Sequence, residues 1–447
     1  MSPLGPIFKA YDVRGTYPEQ LDEDAARRIG TAFARFTDAS TIVLGRDCRL
    51  SSPSLAAAFA EGVTGRGADV IDLGLATTDM LYFASGKLDV PGAMFTASHN
   101  PPQWNGVKLC RAGAAPVGED SGLTEVRDLA ERGVDAPPAV AVGRVTGRDM
   151  VQEYVDHVLG FVDPGRMAPL TVVADTANGM GGLVLPAIFE RLPMKLVGLY
   201  LELDGTFPNH PADPIQPENQ EDVRKAVVEH GADVGLAFDG DADRVFVTDE
   251  RAEGVSGSLI TALVAEAMLQ REPGSTILHN VICSWVVPEV IRERGGTPIR
   301  TRVGHSLIKK VMADTGAIFG GEHSGHYYFR DHYRADSGVI AALVILERLS
   351  EAGVPMSDLL RPYRRYDDSG EINSEVDDQQ AKIEEIAARY ADGKQDRLDG
   401  LTVEYGDWWF NVRPSNTEPL LRLNVEARTP EVLEDKTAEV LAVIRGE

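Results

Sequence analysis

The stretch TIVLGRDCRLSSPSLAAAFAEGVTGRGADVIDL, residues 41–73, decides the fold class. Residues 41–45 form an apolar run of strand length, residues 54–65 follow a helical pattern, and residues 68–73 form the next strand. Strands that alternate with helices in this way are typical of parallel sheets covered by helices on both faces. The sequence therefore predicts an α/β protein.

The same alternation restarts near residue 150 and again after about residue 250. The strands predicted in these two blocks lie at residues 170–174, 234–238, 276–278 and 299–302, and the helices at residues 181–191, 287–294 and 306–313. Past residue 365 the pattern changes to antiparallel strands at 401–405, 408–412 and 420–425, between helices at 379–390 and 430–445. We predict three similar mixed α/β domains and a smaller C-terminal α+β domain, with bounds at 1–150, 151–250, 251–365 and 366–447.

The composition excludes several classes of partner. The chain carries 44 Lys and Arg against 69 Asp and Glu, a formal net charge of −25. Such a chain does not attract nucleic acid or an anionic membrane. An anionic substrate must therefore be captured by a local cluster of basic groups.

Three features predict a cytoplasmic protein. The three cysteines are far apart and form no disulfide framework, as is usual in a reducing compartment. Lys9, Asp12 and Arg14 stand where a signal peptide would need an apolar core. The longest apolar run, residues 339–346, is too short to span a bilayer.

The segment TASHNPP, residues 96–102, follows the apolar strand at residues 92–95. Pro101 lacks an N–H and restricts Asn100, so the chain must turn sharply here. That turn puts Ser98 at the carboxyl edge of a sheet, where α/β proteins bind ligands. A serine in this position can act as a nucleophile or carry a phosphoryl group, and an ordinary loop serine is the alternative.

The segment DGDADR, residues 239–244, places Asp239, Asp241 and Asp243 two residues apart, just after a strand. Like charges about 4 Å apart repel by about 4 kcal/mol at an intermediate dielectric, and a divalent cation removes that penalty. Oxygen ligands suit Mg²⁺. A solvated acidic turn is one alternative, and an EF-hand calcium loop is another, although its sixth position should be Gly and is Arg244.

The segment GGEHSGH, residues 320–326, suits a sugar. Its two leading glycines allow close approach of the backbone, and Glu322 and Ser324 can hydrogen-bond neighbouring hydroxyls. His323 and His326 lack a third nitrogen or sulfur ligand nearby for zinc, and structural histidines are the simpler interpretation.

The segment RPSNTEP, residues 413–419, combines a guanidinium, two hydroxyls, an amide and free backbone N–H groups between two prolines. A loop so rich in donors suits a phosphate dianion, whereas an ordinary turn with a surface arginine is the alternative. Arg14, in YDVRG, and Lys108, in NGVK, are single charges that carry no assignment by themselves.

These four segments, in this order, resemble the α-D-phosphohexomutase superfamily and most closely its bacterial phosphomannomutase/phosphoglucomutase group. The matching segments run over residues 11–419. The resemblance implies four domains around a central cleft, with one motif contributed by each domain.

The resemblance also implies residue roles. Ser98 would be the phosphoserine, with Arg14, His99 and Lys108 as the other catalytic residues and Lys108 as the proton-transfer partner. Asp239, Asp241 and Asp243 would hold Mg²⁺ together with a Ser98 oxygen. The implied substrate-binding residues are Arg244, His305, Glu322, Ser324, His326, Arg413, Ser415, Asn416 and Thr417.

The implied reaction is the reversible interconversion of mannose 6-phosphate and mannose 1-phosphate, with the glucose phosphates as second substrates. A hexose 1,6-bisphosphate would be both the bound intermediate and the activating primer. Phosphoglucosamine mutase, a phosphatase and a non-catalytic sugar-phosphate sensor on the same scaffold are the alternatives. Neither the residues nor the resemblance indicates an oligomeric state.

Overall fold

The strand–helix–strand unit predicted first is present as β2 (Thr41–Arg46), α2 (Ser52–Thr64) and β3 (Asp69–Leu75). Strand β2 pairs in parallel with β3 on one side and with β4 (Gly92–Phe95) on the other. The protein is described by a computed structural model over residues 4–133, 141–415 and 420–446. Four sheets organise these residues into four successive domains.

Domain I is built on a mixed sheet of order β1-β5-β4-β2-β3-β7, with a short β6 on β5. Its remaining strands are β1 (Val13–Thr16), β5 (Trp104–Arg111), β6 (Ala115–Pro116) and β7 (Val145–Gly147), and its remaining helices are α1 (Glu23–Thr37), α3 (Thr78–Leu88) and α4 (Leu123–Arg132). The side chain of Asp22 caps α1 by accepting from the Ala25 N–H, and α2 begins with a proline in its first turn. Because β5 is antiparallel to both neighbours, the predicted parallel sheet is mixed at this edge.

Domain II has the sheet order β12-β11-β10-β8-β9. Its helices are α5 (Val151–Leu159), α6 (Gly181–Phe189) and α7 (Glu221–His230), and its strands are β8 (Thr171–Asp175), β9 (Lys195–Leu199), β10 (Val234–Phe238), β11 (Val245–Asp249) and β12 (Gly254–Val255). Strand β8 pairs in parallel with β9 and β10, whereas β10 and β11 form an antiparallel hairpin. The DGDADR segment is the loop of that hairpin.

Domain III has the sheet order β14-β13-β15-β16. Its strands are β13 (Thr276–Asn280), β14 (Thr297–Thr301), β15 (Phe319–Gly321) and β16 (Tyr327–Phe329), and its helices are α8 (Gly257–Arg271), α9 (Val286–Glu293), α10 (His305–Thr315), α11 (Gly338–Ala352) and α12 (Met356–Leu359). The GGEHSGH segment begins in β15 and turns into the antiparallel β16.

Domain IV is an antiparallel sheet of order β17-β21-β20-β19-β18. Its elements are β17 (Asp367–Glu375), α13 (Gln379–Arg389), β18 (Lys394–Asp396), β19 (Leu401–Glu404), β20 (Trp408–Pro414), β21 (Leu420–Ala427) and α14 (Pro430–Arg445). This is the predicted smaller α+β domain, and the fold class is confirmed.

Domains I, II and III share one cluster of buried apolar side chains, whereas domain IV has its own. One cluster of buried side chains runs through domains I, II and III and includes Met80, Tyr154 and Leu343. Domain IV has a separate core around Phe410 and Ile386. Domain IV therefore has an apolar core of its own, as an independently packed domain does. Within the described ranges, no helix is both long and apolar enough to cross a bilayer.

Candidate active site

Ser98 lies in the loop between β4 and β5, at the predicted carboxyl edge of the domain I sheet. Its φ of 51° is left-handed, a conformation that non-glycine residues rarely adopt and that marks strained functional loops. The Ser98 hydroxyl donates to the Asp239 Oδ2 atom at 2.7 Å, and the serine is 5% exposed. The loop of domain I therefore meets the acidic hairpin of domain II directly.

The acidic hairpin follows β10, all five residues of which are buried. Asp239, Asp241 and Asp243 are themselves buried, and each offers a carboxylate oxygen within 4.8 Å of the others. Gly240 lets the two loops approach, because a Cβ at this position would lie 2.4 Å from the Ser98 carbonyl oxygen. The structure thus brings together the serine and the three carboxylates that are far apart in the sequence.

Two buried cations compensate these carboxylates. The Lys108 Nζ atom lies 2.9 Å from Asp241 and 2.6 Å from Asp243, and the Arg244 Nε atom lies 2.9 Å from Asp239. Burial lowers the pKa of Lys108, but the two carboxylates outweigh it, so the net pKa lies well above its ordinary value. Burial likewise would raise the pKa of Asp241, and Lys108 holds it below the ordinary value.

The donor set fits a hard divalent cation. Asp241 Oδ1 and Asp243 Oδ1 are buried and make no hydrogen bond to any residue that the structure describes. Three carboxylates with two spare oxygens beside a serine hydroxyl are the ligands that Mg²⁺ prefers. Asp239, Asp241, Asp243 and Ser98 are the residues that would hold it. The calcium alternative finds no support here, because the hairpin is too short for a twelve-residue loop and β11 begins at Val245.

His99 and Arg14 flank the serine. The His99 Nδ1 atom lies 3.3 Å from the Ser98 hydroxyl oxygen and also accepts from Arg244. Burial, followed by the charge of Arg244, keeps the pKa of His99 well below its ordinary value, so the imidazole is neutral. Arg14 donates to the Asn100 side-chain oxygen at 2.6 Å and pairs with Asp12 at 2.5 Å.

Domain III contributes His326, which lies beside the acidic hairpin. A backbone bridge joins His326 to Arg244, and the His326 Nδ1 atom lies 2.9 Å from Asp336 and 3.9 Å from Asp243. Asp336 in turn pairs with Lys309 at 2.7 Å, and both are buried. His326 is therefore held in a charged network that continues the acidic hairpin, and no zinc site is needed to account for it.

The two predicted sugar-binding residues lie beside this network. Glu322 is 1% exposed, and its carboxylate accepts from the Tyr328 hydroxyl at 2.8 Å and from the Gly304 N–H at 3.2 Å. Ser324 is half-buried. The His323 Nδ1 atom lies 3.1 Å from the Ser258 hydroxyl, which supports a structural role for this histidine. His305 begins α10.

Domain IV supplies the remaining predicted residues. Arg413 lies at the end of β20 and pairs with Glu371 at 2.5 Å, while Ser415 follows it. Arg422 also pairs with Glu371, at 3.2 Å, and donates to the Ser415 hydroxyl at 3.5 Å. Asn416 and Thr417 lie outside the described residues.

A cleft of about 1520 Å³ borders part of this site. Side chains of all four domains line it, including Arg14, Ser98, Lys108, Arg244, His326 and Arg413. Ser415 and Arg422 of domain IV line it as well, whereas among the described residues the three aspartates of the hairpin, Glu322 and Ser324 do not border it. A ligand with one phosphate beside Arg14 and Arg244 and another beside Arg413 would pair with a guanidinium at each position.

Sequence reasoning missed Arg49, Asp336, Thr78 and Arg422. Thr78 donates to Asp241 at 2.6 Å, and Arg49 is bound to the Ser98 loop. Arg49 follows β2, the parallel neighbour of β4, so its place at the same sheet edge was a usable signal. Thr78 carried no comparable signal, because its contact with Asp241 crosses a domain boundary, and Asp336 carried none because it stands outside the four segments, although it contacts His326 and Lys309 within domain III.

Comparison with known proteins agrees with this geometry. The chain matches the phosphoglucomutase/phosphomannomutase alpha/beta/alpha domains I, II and III over residues 5–134, 152–254 and 256–366, and the C-terminal domain of that family over residues 371–443. It is 43% identical to a phosphomannomutase of Salmonella montevideo, over 98% of this chain and 99% of that protein. It is 41% identical to the protein named "Phosphohexose mutases" of Xanthomonas campestris, over 99% of each chain.

A solved structure of a phosphoglucomutase/phosphomannomutase family protein from Burkholderia thailandensis superposes with a TM-score of 0.89, at 33% identity and over 98% of each chain. Sequence similarity over nearly the whole length, all four family domains and the shared fold point the same way. The chain belongs to the phosphoglucomutase/phosphomannomutase family.

Proposed function

We propose that this protein is a phosphohexomutase that interconverts mannose 6-phosphate and mannose 1-phosphate, and also the corresponding glucose phosphates, through a phosphorylated Ser98. The observation that carries the proposal is the 2.7 Å contact between the Ser98 hydroxyl and Asp239, beside a cleft that both Ser98 and Arg413 line. The family relatives named phosphomannomutase support mannose phosphate as the substrate.

In the first half-reaction the phosphoryl group leaves the Ser98 oxygen and forms a bond to a free hydroxyl of the hexose monophosphate. That hydroxyl gives up its proton, and the serine oxygen takes one. The hexose 1,6-bisphosphate then turns within the cleft and returns its other phosphoryl group to Ser98. The same bisphosphate, added from outside, would prime an unphosphorylated enzyme.

The chain's own residues supply positioning and charge, on which phosphoryl transfer chiefly depends. Arg14, Lys108 and Arg244 surround the serine with positive charge. When bound, Mg²⁺ neutralises the negative charge that develops on the phosphoryl oxygens. Lys108 supplies charge in the arrangement described here, and proton transfer by Lys108 requires that its nitrogen leave Asp241 and Asp243.

Substrate binding is divided between domains. Arg413 and Ser415, with Asn416 and Thr417, would hold the phosphate that does not react, and Glu322, Ser324, His326 and His305 would bind the sugar. Because the bisphosphate turns end for end, the same grip must accept either phosphate. The separate core of domain IV allows it to close over both orientations.

Two rival functions differ in their products. A phosphoglucosamine mutase would act on glucosamine 6-phosphate, whereas the relatives quoted above bear phosphomannomutase or phosphohexose mutase names. A phosphatase would release inorganic phosphate and has no need of a second phosphate site across the cleft.

The same proposal includes the domain bounds at residues 150, 250 and 365. It also includes a cytoplasmic location, which agrees with the free thiols of Cys48, Cys110 and Cys283.

The test is the intact mass of the protein after incubation with glucose 1,6-bisphosphate and Mg²⁺, followed by peptide mapping. A phosphate on the Ser98 peptide that mannose 1-phosphate accepts to form mannose 1,6-bisphosphate, with mannose 6-phosphate formed once Ser98 is phosphorylated again, supports the mutase. A protein that takes up no phosphate on Ser98, or that yields only inorganic phosphate, rejects it. Glucose 1-phosphate and glucosamine 1-phosphate in parallel reactions separate the sugar specificities.

A further inference from the structure

We propose that Arg49 is a positioning residue that clamps the Ser98 loop in its working conformation. The inference rests on the proposed phosphoserine function for its kinetic consequence, but its structural basis is independent of that function. Arg49 is fully buried and lies 49 residues before Ser98 in the chain, in the segment that follows β2.

The guanidinium uses all five of its N–H donors. Its Nη2 group donates to the carbonyl oxygens of Ser98 at 2.8 Å and Asn100 at 2.6 Å. Its Nη1 group donates to those of Pro101 at 2.7 Å and Trp104 at 3.1 Å. The Nε atom donates to Asp47 Oδ2 at 3.1 Å, so one side chain binds four main-chain carbonyls within residues 98–104.

The loop needs such a partner. Residues 96–103 form no strand, so the carbonyls of Ser98 and Asn100 join no strand ladder, while that of Pro101 also accepts from the Trp104 N–H at 3.0 Å. Pro101 and Pro102 contribute no N–H groups, and Ser98 holds a left-handed φ of 51°. A guanidinium is planar and rigid, and therefore fixes the directions of the carbonyls that it binds.

The clamp also receives support from domain II. The Arg49 Cζ atom lies 5.0 Å from the ring centroid of Phe207, a cation–π contact. A Cβ at Gly205 would lie 2.4 Å from the Arg49 Cα atom, so the domain II loop packs directly on this segment. The guanidinium thus connects the loop that carries Ser98 to the domain that carries the aspartates.

Arg49→Lys is the informative variant. Lysine keeps the charge but offers three donors from one nitrogen, so it cannot reach four carbonyls and Asp47 together. A displacement of about 1 Å at a reacting group can cost about 100-fold in rate, so we expect kcat to fall by about that factor. KM should be unchanged, because the distal phosphate and the sugar are bound by domains III and IV.

Asp47→Asn is the matched control. Asp47 is buried beside Arg49 and also accepts from the Ser52 hydroxyl at 2.5 Å. The asparagine variant removes the charge of this ion pair and leaves the four carbonyl contacts in place. If Arg49 acts only through the ion pair, Asp47→Asn loses activity, whereas Arg49→Lys, which keeps a cation beside Asp47, loses little. If it acts as a clamp, only Arg49→Lys loses about 100-fold in kcat.

Two further readouts separate positioning from loss of folding. Hydrogen–deuterium exchange of the peptide covering residues 96–104 should rise in Arg49→Lys and stay at the wild-type level in Asp47→Asn. In Arg49→Ala, guanidinium at low millimolar concentration should restore part of the lost kcat, whereas ammonium should not. Wild-type exchange of this peptide in Arg49→Lys overturns the clamp.

The failures remain distinguishable. A wild-type protein that takes no phosphate on Ser98 rejects the proposed function, and the clamp is then decided by the exchange of residues 96–104 alone. A wild-type protein that is phosphorylated and turns over, with an Arg49→Lys variant equal to it in kcat and in the rate of Ser98 phosphorylation, rejects the clamp alone.

Discussion

Replacing Lys108 by methionine should destabilise the metal-free protein and make its stability depend on Mg²⁺. Lys108 lies 2.9 Å from Asp241 and 2.6 Å from Asp243, and all three side chains are buried. The wild-type cluster of three carboxylates, Lys108 and Arg244 has a formal charge of −1. The variant cluster has −2, in a region that water barely reaches.

The magnitude follows from these distances. At an effective dielectric of about 20, each of the two pairs attracts by about 6 kcal/mol. The desolvation of the ammonium group opposes this gain, and breaking a buried pair by removing one partner costs about 3–5 kcal/mol. We therefore expect Lys108→Met to lose about 3–5 kcal/mol of unfolding free energy in EDTA.

Adding Mg²⁺ should reduce the loss of unfolding free energy caused by Lys108→Met. The more negative cluster binds a divalent cation more tightly, and tighter binding to the native state adds more stability by mass action. Urea denaturation in EDTA and in saturating Mg²⁺, for both proteins, measures the two deficits.

Lys309→Met is the matched control, since Lys309 is equally buried and lies 2.7 Å from Asp336. Its deficit should be the same in EDTA and in Mg²⁺. The reasoning is refuted if Lys108→Met is as stable as the wild type in EDTA, or if Mg²⁺ leaves its deficit unchanged.

Three further outcomes are expected. Ser98→Ala should abolish mutase turnover and phosphate uptake from glucose 1,6-bisphosphate while leaving sugar-phosphate binding measurable by calorimetry. Turnover of this variant at the wild-type rate would exclude a phosphoserine mechanism. Arg413→Lys should raise KM by about 10–100-fold, because a charge-assisted bond to the distal phosphate contributes about 1.5–3 kcal/mol, and steady-state kinetics with an unchanged KM would contradict it. Burial raises the pKa of Glu426, which accepts from the Trp285 N–H and the Trp409 ring N–H, from 4.5 to about 7. Between these two pKa values the native state holds a proton that the unfolded state has released. This carboxyl therefore contributes up to about 3 kcal/mol to the free energy of unfolding below pH 4.5, and the contribution is lost as the pH rises through 7. The free energy of unfolding of Glu426→Gln minus that of the wild type, both measured by urea denaturation, should therefore be larger at pH 8 than at pH 5. An equal difference at both pH values would contradict this prediction.

Much of the secondary structure was predictable because burial imposes periodicity. The run at residues 234–238 coincides with β10, all of whose residues are buried, and the helix predicted at residues 430–445 coincides with α14. Strand β5, by contrast, was not predicted. Its antiparallel pairing with β4 and β1 depends on neighbours that are distant in the sequence.

By itself the sequence determined the chemistry of each segment: a serine in a proline-bounded turn, three alternating aspartates and a donor-rich loop, each after a strand. Local patterns carry that information because strand ends and turn residues are local properties. Only the tertiary structure decided which groups meet. It set the 2.7 Å contact of Ser98 with Asp239, the insertion of Lys108 between two carboxylates, and the four carbonyls bound by Arg49. Such contacts join residues 49 to 141 positions apart, and packing between elements, which leaves no local pattern, creates them.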